Sequence, residues 1–260
     1  MNTKPLYSLL EKVTLGKGLP KTVNGVQLML PARYIRYFPS NYEEDNFRFM
    51  KSCCPQGATI LDIGAHIGLF AATAASSIGE QGRVYAFEPA PATLPVLEQT
   101  IRINRLANRI CIVNHAMGAE KGDITFFVSD NEADNSNSLV AYKKDRKLNG
   151  VKVTMNTIDN FAASMYLSTI DFIKIDVEGA EYDTLRGGMH VLSTYRPCCI
   201  LAIHPEPIAA KGDRLEDIYD LLVSLNYDIS YHGMPVDKES FCRNRELIDL
   251  HLVPRRQESN

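Results

Sequence analysis

The sequence predicts an α/β fold: a Rossmann-like three-layer sandwich with a mostly parallel central sheet and a small N-terminal cap. Three observations predict it. Short β-branched apolar runs alternate with amphipathic stretches along most of the chain, the pattern of a parallel sheet covered by helices. One of those runs, Ile60-Leu61-Asp62-Ile63, passes into the turn Gly64-Ala65-His66-Ile67-Gly68 and then into a helical stretch, the order of a ligand-binding βα turn. Finally, 260 residues with 45% hydrophobic and 23% charged side chains suit one large α/β domain that buries its core without staples.

Taken in order, residues 1–50 read as the cap and residues 51–260 as the Rossmann-like domain. Within the cap, Val23 to Leu30 reads as a strand or hairpin arm, Pro20, Pro31 and Pro39 punctuate it, and Tyr42 to Lys51 reads as a helix. Strands follow at Thr59 to Ile63, Arg83 to Phe87, Ile110 to Asn114, Phe172 to Asp176, Cys199 to His204 and Tyr227 to Tyr231. Between them Ile67 to Ser77, Pro91 to Arg105, Gly179 to Leu192 and Arg214 to Leu225 have helical spacing, the third with an acidic first turn. From Ser129 to Gly150 the chain turns polar, and Asp130 to Ser138 carries no apolar periodicity. That stretch reads as a loop over the site or a disordered insertion, where Ser136, Asn137 and Ser138 could offer donors to a polar ligand. No internal repeat is visible.

The net charge of −3 gives no general attraction to phosphate backbones, and the basic residues are scattered apart from Lys143 to Lys147, so nucleic acid is not expected as a partner. No stretch approaches the roughly 18 apolar residues of a membrane span. Met1 to Pro5 leads into no apolar segment with a cleavage site, so a cytoplasmic location is expected. The six cysteines match neither a zinc pattern nor a dense disulfide framework, and read as buried, reduced thiols.

The glycine turn and the next strand end form one constellation. Gly64 and Gly68 allow close backbone approach and tight helix packing, and Asp62 at the strand end could hold the turn or accept from a cationic or hydroxylated ligand. The spacing is GxxxG, and His66 is bulky where a dinucleotide turn keeps a small residue, so a ligand without a diphosphate is expected. Glu88, ending the run Arg83 to Phe87, can accept both hydroxyls of a ribose. An acid at a strand end also favours a following helix start, and for Glu88 alone that reading competes.

Three segments carry a family resemblance: Asp62 to Gly68, Phe87-Glu88-Pro89 and, most specifically, Asp171-Phe172-Ile173-Lys174-Ile175-Asp176-Val177-Glu178-Gly179-Ala180-Glu181. Over residues 40 to 207 the chain resembles the FkbM-type methyltransferases. The resemblance implies a class I methyltransferase fold that binds S-adenosyl-L-methionine, with Asp62, Gly64, Ala65, His66, Gly68, Glu88, Ala116 and Asp176 as cofactor-binding residues. His66 departs from the pattern, which often has Asn there. The family pattern places the adenine at the turn Asn114 to Gly118; His115 and Met117 in that turn also suit plain packing. Tyr42 and Glu43 resemble a Tyr-Glu pair near the cofactor in the family, and a helix start explains them equally well.

Methyl transfer to oxygen is an in-line displacement that needs an aligned acceptor and a group to take its proton. Asp176, Glu178 and His204 are the catalytic candidates: the first two share a turn at the carboxyl edge of the sheet, and His204 ends the next strand. Two close carboxylates raise one another's proton affinity, and Lys174 opposes that effect. Glu178 and Glu181 also suit the start of the following helix. Asp176, Glu178, His204 and Glu206 could together hold a divalent ion, though no metal is assigned. The family implies a hydroxyl acceptor on a small molecule or glycan: a saccharide, or a glycosylated or polyketide-like natural product. Two other readings stand beside it: an NAD-dependent oxidoreductase, disfavoured by the missing third glycine, and a non-catalytic S-adenosylmethionine-binding partner protein.

Overall fold

The computed structural model describes residues 10–129 and 148–255. Thirteen strands and nine helices are labelled here in chain order. β1 (Leu19–Val23) and β2 (Val26–Leu30) form an antiparallel hairpin. Asn24 and Gly25 turn it with φ of 50° and 80°, the double left-handed geometry that two-residue hairpins favour, so Val23 to Leu30 is a turn plus one arm. α1 (Glu44–Cys53) completes the N-terminal segment.

The βα alternation then runs β3 (Thr59–Ile63), α2 (Leu69–Ser77), β4 (Arg83–Phe87), α3 (Leu94–Ile103) and β5 (Ile110–Val113). β6 (Ala116–Met117), β7 (Gly122–Ser129) and β8 (Leu148–Asn156) make a separate three-stranded sheet, followed by α4 (Ile158–Ser164) and β9 (Phe172–Ile175). The polar stretch expected as a loop is strand at both ends, and residues 130–147, with Ser136, Asn137 and Ser138, lie outside the described residues. Next come α5 (Glu181–Arg186), α6 (Met189–Thr194), β10 (Cys198–Ile203), α7 (Pro205–Lys211) and α8 (Leu215–Ser224). β11 (Tyr227–Tyr231), β12 (Met234–Pro235), α9 (Lys238–Arg243) and β13 (Ile248–Pro254) close the chain.

The main sheet has the order β12-β11-β13-β10-β9-β3-β4-β5, parallel from β10 to β5. β13 inserts antiparallel between β10 and β11. Alternate residues of the buried strands face opposite layers, as the strand period of two requires. Leu61 and Ile63 pack with Ile158, Phe161, Leu185 and Leu222 on one side. Ile60, Val84 and Phe172 pack with the alanines of α2, Leu97 of α3 and Met50 of α1 on the other. Among the described residues no helix is long and apolar enough to cross a membrane. All six cysteines are free, but only Cys199 is buried and Cys111 is exposed, so burial holds for one thiol rather than the set.

The expected strands appear within a residue or two of their expected limits. The helix expected over Gly179 to Leu192 is instead two short helices, broken at Gly187-Gly188. A Cβ at Gly187 would lie 2.0 Å from the Gly118 carbonyl oxygen, so the break is where the helix layer meets the turn after β6. β1, β12, β13, α4, α7, α9 and the β6-β8-β7 sheet have no counterpart among the expected elements. Of these β13 matters most, because it brings Asp249 to the edge where the parallel strands end.

Candidate active site

A cleft of about 200 Å³ runs along the carboxyl edge of the parallel strands. Its lining includes Glu88, Ala116 and Phe126 at the β4–β5 side, Asp62 and Gly64 in the middle, and Asp176, His204 and Asp249 toward β13. Sheet order therefore gathers the candidates of four strand ends into one site, as open α/β sheets do.

The glycine turn owes its shape to one close contact. Gly64 has φ of +90°, and a Cβ there would lie 1.9 Å from the backbone oxygen of Asp176, so only glycine lets β3 and β9 close together. A Cβ on Gly68 would meet Leu97 Cδ1 at 2.4 Å, which is the tight helix packing expected of it. Most backbone N–H groups of the turn are used within the protein. Gly64 and Ala65 both donate to the Phe87 carbonyl, at 3.0 and 2.9 Å, and Gly68 donates to Ala65 at 2.8 Å. His66 donates its N–H to Glu88 Oε2 at 2.9 Å. Four of the five N–H groups from Gly64 to Gly68 are thus spent internally, in keeping with a ligand that has no diphosphate.

Glu88 is 5% exposed, and its Oε1 accepts from the Ala90 N–H at 2.8 Å. Burial pushes its carboxyl up to about 7, against the two backbone donors that favour its charge. Each oxygen keeps an unused lone pair at the cleft wall. Beyond it, Ala116 is buried, and the Nδ1 of His115 is buried without a hydrogen-bond partner while the residue lines the cleft. The His66 ring packs edge-on against Tyr34, and burial lowers its proton affinity to about 4, so it is neutral at physiological pH.

In the middle of the cleft Asp62 is fully buried and neither carboxylate oxygen makes a hydrogen bond of full geometry, the Ala71 N–H of α2 being the backbone donor near enough to favour its charge. Burial pushes it up to about 7, with Lys174 opposing and Glu43 and Asp176 adding. Lys174, 5% exposed, bonds Asp176 Oδ2 at 2.9 Å and sits over the Phe70 ring. Burial works against its ammonium, but Asp176, Glu43 and Asp62 outweigh burial and hold it charged. The same ion pair corrects the expectation that neighbouring carboxylates raise Asp176. Burial does push it up, yet Lys174 and then His204 prevail and hold it below the usual carboxylate range.

His204 stands beside Asp176 because β10 pairs with β9 in parallel register. Its Nε2 lies 3.6 Å from Asp176 Oδ1, and its Nδ1 lies 2.7 Å from Glu181 Oε1. Burial lowers the proton affinity of His204, but Glu181, Asp176 and Glu178 outweigh it and bring it to about 8. Glu178 lines the cleft at φ of 42°, and Glu43 and His66 share that strained left-handed region at 47° and 49°. Glu206 is exposed and does not line the cleft, so it cannot join Asp176, Glu178 and His204 in a common ion site. Among the described residues no group of three or more His, Cys, Asp or Glu is arranged to hold a metal ion.

Sequence reasoning missed the far wall. Asn46 of α1, almost fully buried, donates to Asp249 Oδ2 at 2.7 Å and approaches Glu43 Oε2 at 3.5 Å, while its oxygen meets His251 Nε2 at 2.9 Å. His251 stacks on Phe49 with ring centroids 4.2 Å apart. Two cleft carboxylates from distant segments are thereby held by one amide. The alternation Ile248-Asp249-Leu250-His251-Leu252 carried a period-two strand signal that could have located β13.

Sheet order, antiparallel β13 and the cleft at the strand ends define a class I methyltransferase fold. A crystal structure from Clostridium thermocellum, provisionally assigned as an rRNA methylase, shares it: TM-score 0.50, 12% identity, covering 81% of this chain and 94% of that one. The Methyltransferase FkbM domain matches residues 62–229, and the chain belongs to that family. Among curated proteins, Methyltransferase sdnD of Sordaria araneosa is 27% identical over 160 residues, 51% of this chain and 61% of that protein. The hexuronic acid methyltransferase AglP of Haloferax volcanii is 25% identical over 154 residues, 58% of this chain and 59% of AglP. The chain thus matches about three fifths of the length of these relatives.

Proposed function

We propose that this chain is an S-adenosylmethionine-dependent methyltransferase that methylates a hydroxyl of a neutral, hydroxyl-rich small molecule or glycan. The observation that carries the reading is Asp62: a fully buried carboxylate whose oxygens make no hydrogen bond of full geometry, in a cleft whose glycine turn has the N–H groups of Gly64, Ala65, His66 and Gly68 already bonded. A buried acid of that kind needs a cationic or hydroxylated ligand to complete it, and the ammonium of S-adenosylmethionine is one. Glu88 would take the ribose hydroxyls on its two spare lone pairs, and Ala116 with His115 would flank the adenine. Bound there, the cofactor supplies an electrophilic methyl group on a sulfonium.

The residues toward β13 would handle the acceptor. The neutral His204 would take the hydroxyl proton as the oxygen attacks. Asp176 is the weaker base, since Lys174 holds its charge, and it fits the role of orienting the acceptor. Glu43, Asp176, Glu178 and Asp249 face that end against Lys174 and His204. This excess of negative charge favours a neutral acceptor over a phosphorylated one, and hence a small molecule over nucleic acid. The hexuronic acid methyltransferase AglP supports a sugar-like acceptor, and the negative charge of this cleft favours a neutral sugar over a hexuronate itself.

Calorimetric titration with S-adenosylhomocysteine and, separately, NAD tests the cofactor. Micromolar binding of the former with none of the latter is expected. Binding of NAD alone, or of neither, overturns the reading.

A further inference from the structure

Glu181 has no part in the function as proposed so far, yet it is fully buried, and its carboxylate makes two directed contacts. Oε2 accepts from the Gly179 N–H at 2.9 Å, which fixes the rotation of the group, and Oε1 lies 2.7 Å from His204 Nδ1. Resting on the proposed role of His204 as base, we infer that Glu181 is a positioning residue. It holds His204 with Nδ1 protonated and Nε2 turned to the cleft, so that the base is a buried Glu–His pair.

The two elements that carry the pair are locked together. Gly179, whose φ is +103°, sits where a Cβ would come within 2.8 Å of Pro207 Cβ, so the turn before α5 packs on the first turn of α7. His204 is the N-cap residue of α7, directly before Pro205. The far side of α5 is pinned by Thr184 Oγ1, which donates to the Met117 carbonyl at 3.0 Å. Neither the carboxylate nor the ring can swing away without moving a packed turn. A hydrogen bond on one ring nitrogen sets which nitrogen is left to act, and a short contact to a buried charge does so firmly. The charged groups facing the ring are Glu181, Asp176 and Glu178, with Lys174 behind Asp176. Only Glu181 lies on the Nδ1 side within hydrogen-bond reach. A purely structural Glu181 would cap Gly179 and leave the tautomer of His204 indifferent to its charge.

Histidine-labelled protein in 15N NMR tests this, the His204 signal being assigned by its loss in His204→Gln. Above its titration midpoint wild-type His204 is expected as the Nδ1–H tautomer. In Glu181→Gln the midpoint is expected to fall by about one unit or more, a tenfold loss of proton affinity. An Nε2–H tautomer in the wild type, or an unmoved midpoint in a Glu181→Gln protein that still binds S-adenosylhomocysteine, overturns the inference. Should Glu181→Gln fail to fold, the wild-type tautomer alone decides. Wild-type protein that shows the Nδ1–H tautomer but binds no S-adenosylhomocysteine refutes the cofactor reading and leaves the pair standing.

Discussion

Replacing Glu88 by Gln keeps the volume of the side chain and removes its charge, and the structure sets the two consequences against each other. Both carboxylate oxygens accept from backbone N–H groups, at 2.8 Å from Ala90 and 2.9 Å from His66. A carboxamide has one acceptor oxygen, so its NH2 must face one of those donors; the loss is about 1.5–3 kcal/mol. Against this, the folded carboxyl is raised from 4.5 to about 7, so the ionised group costs the native state about 3 kcal/mol above pH 7. The neutral amide relieves that cost. Folding stability should therefore change by no more than about 1.5 kcal/mol. Ligand binding has no such compensation: with one acceptor gone and the charge removed, the ribose hydroxyls lose a charge-assisted pair. The dissociation constant for S-adenosylhomocysteine should rise about 10- to 150-fold. Calorimetry and denaturant unfolding at pH 7.5 measure the two effects. Unchanged affinity, or a stability loss matching the affinity loss, would show that Glu88 is only a structural cap.

The same carboxylates make binding depend on pH. Asp62 and Glu88 both titrate near 7 and must be ionised to receive the ligand, so affinity should fall as pH drops from 8 to 6, by about tenfold for each group that must lose its proton; a flat profile refutes this. Turnover should rise with pH through about 8, as His204 becomes the free base, and His204→Gln should lose that limb. His204 also stabilises the fold when protonated, since its folded pKa lies above the unfolded value. That contribution, about 2 kcal/mol, is complete below pH 6.5 and lost as pH climbs through 8; unfolding free energies of wild type and His204→Gln across this range should converge. Gly64→Ala places a Cβ 1.9 Å from the Asp176 carbonyl at a φ of +90°, and should cost at least about 2 kcal/mol and abolish S-adenosylhomocysteine binding. An unaltered melting temperature with intact binding would show that β3 and β9 need not close so tightly.

Much of this molecule was legible along the chain because its signals are local. The period-two faces of β3, β4 and β9, the glycine turn after Ile63 and the acid closing the next strand are written within a few residues each. The strand limits and the cleft places of Asp62, Gly64, Glu88 and Ala116 followed, whereas Gly68, expected to bind the cofactor, serves helix packing and does not line the cleft. The unread parts depend on partners far away. Gly187 breaks a helix because Gly118 approaches it, and β13 inserts between β10 and β11 although many residues separate them. The charge states at the site are the clearest case. Asp176 and Glu178 alone suggest a carboxylate pair of raised proton affinity, but the burial of Lys174 against Asp176 reverses that for Asp176. Asn46 joins Asp249 across 203 positions, and Glu181 meets His204 across 23. By itself the sequence determined the fold class and the glycine-turn side of the cleft, where each residue's place depends on its own strand and turn. Only the tertiary structure decided the charge pattern on the β13 side, because proton affinity is a property of the neighbours that packing brings within 4 Å.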